Sequence, residues 1–349
     1  MTKHNALRIV SLLPSATETV AALGLTEYLV GRSHECDYPP EVQSLPVCTE
    51  ARLNSGKQSA DIDQDVQSLM QSAVLHRETA ERGSQASEPS SDDDPLPAAD
   101  RWSALSIYEI KTEVLEALQP THLITQDQCD ACAVSMAQVQ EATSQLLSSQ
   151  PEVISLQGNV LTEVWADMKR VADRLGVDSQ QALNALQTRV DACTRITDGI
   201  EDRPKVATVE WIDPLMSGGN WLPELVKMAG GFPVLDETGT RSRYLQWEEL
   251  VAADPDVIVI LPCGFNLERT RTEAPVLAKH PQWAQLSAVQ RDQVYIADGN
   301  AYFNRPGPRL VDSLEILAEI LHPQHFASHY QGTGWEKFAT KQEQVTISN

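Results

Sequence analysis

Apolar residues in this chain fall mostly in short continuous runs, not in strict alternation. The first is Leu7-Arg8-Ile9-Val10-Ser11-Leu12-Leu13. Others are Tyr28 to Gly31, His122 to Gln126, Glu152 to Leu156, Lys205 to Glu210, Asp256 to Leu261 and Gln293 to Ala297. Runs of this kind predict parallel strands buried on both faces. Pro14 ends the first run. Ser15-Ala16-Thr17-Glu18 then reads as a capping box, with Ser15 at the N-cap and Glu18 three residues on. Val20, Ala21 and Leu23 supply an apolar helix face, and Gly24 a stop. Strand, tight loop and helix open an α/β unit. The backbone at Ser15 to Thr17 offers free N–H groups beyond the strand, although an ordinary helix cap explains the same residues.

A repeat divides the chain. Glu113-Val-Leu-Glu-Ala-Leu-Gln-Pro120 and Glu248-Glu-Leu-Val-Ala-Ala-Asp-Pro255 each predict a short helix, a proline stop and a buried strand. Two copies suggest two lobes of related design, against chance similarity of helix–strand junctions. A long helical stretch separates them. Leu161 to Leu175 ends at Gly176, and a second helix follows an N-cap near Asp178-Ser179, with Leu183, Leu186, Val190 and Cys193 on one face. The expected organisation is an N-terminal lobe over 7–156, a helical linker over 157–203, a C-terminal lobe over 204–325 and a flexible tail over 331–349. Residues 77–101 hold one large aliphatic, Leu96, and read as a disordered insertion.

The 349 residues suffice for two domains. Lysine and arginine number 27 against 49 acidic residues, a net charge of −22. That surface repels phosphate backbones and anionic lipid, so neither nucleic acid nor membrane surface is an expected partner. No apolar stretch reaches the ~20 residues of a membrane span. Six cysteines are too few for a disulfide scaffold. No secretory signal fits before Leu7, so a cytoplasmic location is expected, and a periplasmic one only if the true start lies upstream.

Ligands of parallel α/β lobes bind at the carboxyl ends of the strands. The loops there contain Ser15, the segment Arg32 to Pro40, the segment Asp127 to Cys132, Trp211 to Trp221, Pro262 to Phe265 and Gly299 to Pro306. Aromatics, glycines and a few polar groups in such loops describe a pocket for a large, flat or amphipathic ligand. No nucleophile elbow, P-loop or His-Glu-x-x-His motif is present, so an enzyme is not expected.

Four segments carry a family resemblance: Arg8-Ile-Val-Ser-Leu-Leu-Pro-Ser-Ala-Thr-Glu18, Cys36-Asp-Tyr-Pro-Pro40, Met216 to Gly231 and Tyr302-Phe-Asn-Arg-Pro-Gly-Pro-Arg309. In this order and spacing the chain resembles the helical-backbone class of periplasmic substrate-binding proteins of ABC importers, and within it the vitamin B12 and iron-siderophore branch. The resemblance implies two Rossmann-like lobes with parallel sheets, joined by a long helix, with the ligand in the cleft. It implies a corrinoid (cobalamin) or other metal chelate as ligand, lined by Ser15, Ala16, Tyr38, Trp211, Tyr302 and Phe303. It also implies docking of Glu113 and Glu248 to arginines of a permease, although both glutamates also suit a helix N-terminus. The chain departs from the family pattern in lacking a signal peptide and lipoprotein cysteine. A tryptophan that packs on the corrinoid in the B12 branch falls near Gln126 in this chain, so the comparison implies that this contact is lost.

His34, Cys36, Cys129 and Cys132 form a further set. They could ligate zinc or iron, place one His as an axial ligand to cobalt or haem iron, act as a redox dithiol, or simply pack. The alternative function is therefore a cytosolic metal-binding or redox protein on the same scaffold. Cys48, Cys193 and Cys263 read as buried packing residues.

Overall fold

The computed structural model describes residues 7–69, 71, 108–127, 139, 143 and 148–339. The insertion 77–101 and the pair Cys129 and Cys132 lie outside the described residues. Two compact units form, one from Met1–Gly158 with Val164–Ser179, the other from Asn159–Glu163 with Gln180–Asn349. Among the described residues no helix is long and apolar enough to cross a membrane.

The first unit is built on a four-stranded parallel sheet in the order β2-β1-β5-β6, with β1 Ile9–Ser11, β2 Leu29–Arg32, β5 His122–Gln126 and β6 Glu152–Leu156. β3 Thr49–Ala51 and β4 Tyr108–Ile110 form a separate antiparallel pair. Neighbouring residues of β1 and β5 point to opposite faces, and both faces are covered. Ile9 and Ile124 pack with Val20, Leu29 and Val171. Val10 and Leu123 pack with Leu115 and Cys48. Two-sided burial is why these strands read as unbroken apolar runs.

The second unit has a six-stranded sheet in the order β12-β11-β10-β7-β8, with β9 also paired to β7. Its parallel centre is β7 Lys205–Trp211, β10 Val257–Ile260 and β11 Val294–Ala297. The short β8 Met216–Ser217 and β12 Trp335–Lys337 run antiparallel at the edges, and β9 Phe232–Pro233 is parallel to β7. The strand β12 corrects the expectation of a flexible tail from 331. Trp335 and Phe338 bury their rings there, and two apolar anchors hold an otherwise polar segment to β11. The helix Gln180–Thr197 packs on the helix Leu310–Leu321, where Arg189 meets Asp312 at 2.5 Å and Glu315 at 2.6 Å.

The repeat is structural. The helices Thr112–Leu118 and Trp247–Ala253 are seven residues each, with Leu115 and Leu250 buried at the same position. Each closes on a left-handed residue directly before the proline: Gln119 at φ 45° and Asp254 at φ 39°. That conformation lets the N–H reach back to the carbonyl of Leu115 or Leu250, and the proline forbids a further turn. The next residue then donates to the residue that leads into or begins the unit's central strand. Thr121 N–H meets the Arg8 carbonyl and Asp256 N–H the Lys205 carbonyl, both at 2.8 Å.

The expected capping box at Ser15 and Glu18 does not form. The helix begins at Pro14, with Leu13 at its N-cap in extended backbone. Proline's fixed φ suits the first helical position, so Ser15 enters the helix instead of capping it. Gly24 stops the helix in the left-handed region at φ 75°, as read from the sequence. Cys48 and Cys193 are buried, and burial pushes each thiol up to about 12. Cys263 is only half-buried, which corrects its reading as core: it lies in the tight turn from Pro262 to Phe265 after β10.

His322 is buried, and its Nε2 lies 3.2 Å from the Gly230 carbonyl. Burial lowers its pKa below the ordinary 6.5. His34 and His122 shift the same way for the same reason. The unfolded chain then binds more protons than the folded one below about pH 6.5, so stability rises with pH there. The contribution of these histidines is complete above that value and is lost as pH falls towards their folded pKa values. Melting temperature is expected to drop between pH 7.5 and pH 5, and His322→Gln is expected to shrink the drop. A pH-independent melting temperature over that window would contradict the assignment.

Candidate functional site

In the second unit the strand ends place a set of aromatic and arginine side chains. β7 ends at Trp211, whose Nε1 donates to the Asp213 carbonyl at 3.1 Å. Its ring lies 5.2 Å from that of Phe265, in the turn after β10. The guanidinium of Arg269, one turn into the next helix, sits 3.6 Å over Phe265. After β11, Asp298 accepts from the Ala301 N–H at 2.7 Å and starts a wide turn over Gly299–Phe303. That turn delivers Tyr302, half-buried, with the Arg309 guanidinium 4.4 Å from its ring centre. Burial raises the Tyr302 pKa, so the phenol stays neutral. Tyr302 also meets Tyr330 edge-on at 5.9 Å. The Tyr330 hydroxyl lies 2.9 Å from Glu315 and 3.2 Å from Arg189, which connects the long helix to this turn.

Two backbone approaches fix these loops. Gly299 lies so close to the β10 exit that a Cβ would stand 2.1 Å from the Pro262 carbonyl oxygen. Gly219 lies under the segment Thr240–Ser242, where a Cβ would stand 2.3 Å from the Ser242 nitrogen. Ser242 donates in turn to Glu210 at 2.8 Å.

In the first unit Ser15 and Ala16 are buried at the start of the first helix. Ser15 Oγ has no hydrogen-bond partner among the described residues. Thr17 Oγ1 lies 2.8 Å from Ser11 Oγ and 3.0 Å from Cys36 Sγ. Cys36 is 2 % exposed and packs in the core, whereas His34, two residues earlier, packs 5.1 Å from the Tyr108 ring. Tyr108 donates to Glu35 at 2.7 Å. Tyr38 is 45 % exposed.

Of the residues named from the sequence, Trp211 and Tyr302 lie at strand ends of one unit, Trp211 tilted at 57° against Phe265 and Tyr302 with Arg309 over its ring. Phe303 is 0 % exposed, and its carbonyl accepts from Trp221 Nε1 at 2.8 Å, so its ring is core beneath the turn. Glu113 and Glu248 occupy matching exposed places in the first turns of the repeat helices. Among the described residues no group of three His, Cys, Asp or Glu could hold a metal ion. Sequence reasoning did not find Arg269, Arg309 and Tyr108 as partners of these rings. Arg309 closes the segment that begins at Tyr302. Tyr108 reaches Glu35 across 73 residues with no local signal.

Two α/β units of one design, each gathering loops at the carboxyl ends of a parallel sheet, define a ligand-binding protein. The chain belongs to the periplasmic binding protein family, whose pattern matches residues 9–301. It is 23 % identical over 322 residues to the vitamin B12-binding protein of Vibrio cholerae, covering 90 % of this chain and 89 % of that one. It is 24 % identical over 327 residues to the ABC transporter substrate-binding lipoprotein YvrC of Bacillus subtilis, covering 93 % and 82 %. Its fold matches the periplasmic haem-binding protein RhuT of Roseiflexus sp. RS-1 with a TM-score of 0.62 at 20 % identity, over 91 % of this chain and 99 % of that one. The alternative of a metal or redox protein finds no support in these relatives.

Proposed function

We propose that this protein binds a corrinoid such as cobalamin, or a related metal chelate, and presents it to the permease of an ABC importer. It acts by binding and release, without catalysis. The observation that carries this reading is the pair of aromatic side chains, Trp211 and Tyr302, with their neighbouring arginines at the strand ends of the second unit. Partly exposed Trp211, set against buried Phe265, and half-buried Tyr302, with Arg309 on its ring, put aromatic surface beside arginines that are themselves paired to Glu273 and Asp312. A macrocycle with polar edges needs that combination. The vitamin B12-binding and haem-binding relatives make the same chemical class the first to test. Glu113 and Glu248, matched in the two repeats, would meet cationic side chains of the permease.

Absorbance titration of the purified chain with cobalamin, haem and a ferric siderophore tests the reading. One of the three is expected to bind stoichiometrically. Trp211→Ala is expected to weaken that binding about tenfold, since a ring face contributes on the order of 1 kcal/mol beyond area and 1.4 kcal/mol is a factor of ten. Glu113→Ala and Glu248→Ala are expected to leave solution affinity unchanged. A folded Trp211→Ala variant with undiminished affinity would remove this strand-end surface from the site.

A further inference from the structure

Two guanidiniums, two carboxylates and a phenol meet beside Tyr302. Arg189, on the long helix Gln180–Thr197, holds Glu315 with both arms of its fork, Nε at 3.0 Å and Nη2 at 2.6 Å. The same Nη2 reaches Asp312 Oδ1 at 2.5 Å. The other oxygen of Asp312 accepts from Arg309 Nε at 3.3 Å. The Tyr330 hydroxyl lies 3.2 Å from Arg189 Nη2, 2.9 Å from Glu315 and 3.1 Å from Asp312. Burial and the two carboxylates raise the Tyr330 pKa, so the phenol keeps its proton and donates to one of them. A planar fork fits a carboxylate with two parallel bonds, which an ammonium cannot make.

Tyr302 is the aromatic side chain that this set touches. Arg309 lies 4.4 Å over its face, and Tyr330 meets its edge at 5.9 Å with the ring planes 80° apart. The turn begun by Asp298 places the Tyr302 backbone but leaves the ring free to rotate about its own bonds. The two groups that set the ring, Arg309 through Asp312 and Tyr330 through its hydroxyl, are both tied to Arg189. Without Arg189, Asp312 is left to Arg309 alone and draws it off the ring, and the Tyr330 hydroxyl loses a donor. A side chain already held in its bound rotamer costs the complex less in ordering.

We propose that Arg189 is a positioning residue for ligand binding: through Asp312, Arg309 and Tyr330 it sets the ring of Tyr302 for the flat face of the ligand, without touching the ligand itself. The proposal rests on the metal-chelate reading above, which puts Tyr302 in the binding surface.

The test is a double-mutant cycle on the full chain, titrated with cyanocobalamin, hemin and ferrichrome, with dissociation constants taken for the probe that the wild type binds. Arg189→Met, which keeps the length of the side chain and removes the fork, is expected to weaken binding about fivefold, the size of a coupling between groups of one network. In a Tyr302→Ala background the same substitution is expected to change affinity by less than about twofold, because the ring it sets is gone. Arg189→Lys, which keeps the charge without the fork, is expected to fall close to Arg189→Met. Tyr330→Phe, which cuts the phenol from Arg189 and keeps the ring edge, is expected to weaken binding in the same direction, and it takes the place of Arg189→Met in the cycle if that variant does not fold. Equal losses in the two backgrounds would show that Arg189 acts through the fold at large and would overturn the proposal, as would undiminished affinity of a folded Arg189→Met. Undiminished affinity of Tyr302→Ala would overturn the positioning role and leave the chelate reading intact. Failure of the wild type to bind any of the three probes would overturn both.

Discussion

Gly299→Ala is expected to lower unfolding stability by about 3 kcal/mol, the upper part of the range for forcing atoms into packed structure. The added Cβ would meet the carbonyl oxygens of Pro262 and Leu261 at 2.1 and 2.5 Å. Both are backbone atoms of the β10 exit, and neither can swing aside as a side chain could. Asn304 Nδ2 bonds the carbonyls of Leu261 and Gly299 at 3.1 and 3.0 Å, and Asn300 N–H meets the Phe265 carbonyl at 3.0 Å. A shift at Gly299 therefore moves the turn that carries Tyr302 and the turn that carries Phe265 together. Gly264 provides the contrast. It has φ 73° with nothing within 4 Å of its Cβ direction, so Gly264→Ala carries only backbone strain of about 1 kcal/mol. Urea denaturation of both variants measures the difference. Equal losses would show that the close approach at Gly299 relaxes freely.

Glu319→Ala is expected to lose a similar amount, again about 3 kcal/mol, by a different mechanism. Glu319 lies 2 % exposed in the helix Leu310–Leu321. Its carboxylate accepts from the His329 N–H at 2.7 Å, the Tyr330 N–H at 3.1 Å and Trp335 Nε1 at 2.8 Å. Removing the acceptor leaves the Tyr330 N–H and Trp335 Nε1 without a partner, while the exposed His329 N–H keeps the Ala327 carbonyl at 3.0 Å; each unsatisfied group costs on the order of 1 to 3 kcal/mol. Glu319→Gln keeps one oxygen but turns an amide N–H₂ towards a donor, so it is expected to fall between wild type and alanine. Tyr330 sits on Tyr302, so amide exchange at Tyr330 should quicken in the alanine variant alongside the fall in denaturation midpoint. Unchanged exchange there would show that the carboxylate does not hold this segment.

The strands and repeat helices were legible because their signals are local. The run Asp256 to Leu261 holds the observed strand Val257–Ile260 with one residue over at each end, since two-sided burial leaves no polar position inside the strand. The two helix–proline–strand junctions were legible because proline stops a helix wherever it stands. The family was legible in four segments read in order, and its pattern matches residues 9–301. The helix start at Pro14 was misread because Ser15 and Glu18 satisfy a capping pattern that the preceding proline pre-empts. The strand Trp335–Lys337 was missed because only two of its neighbouring side chains are apolar, and their burial depends on β11 being in place.

The candidate site divides in the same way. Sequence by itself determined that Trp211, Tyr302 and His34 stand at strand ends, Trp211 as the last residue of β7 and the other two beyond their strands, because strand and loop order follow from local hydrophobic pattern. Only the tertiary structure decided which of them meet a partner. It set Phe303 in the core under the turn, Arg309 over Tyr302, Arg269 over Phe265 and Thr49 against the His34 ring. Those pairings join residues from separate strand ends, or from one turn to the next. The distances between them are fixed by sheet register and by backbone approach at Gly299 and Gly219, and a linear pattern of apolar and polar positions does not encode either.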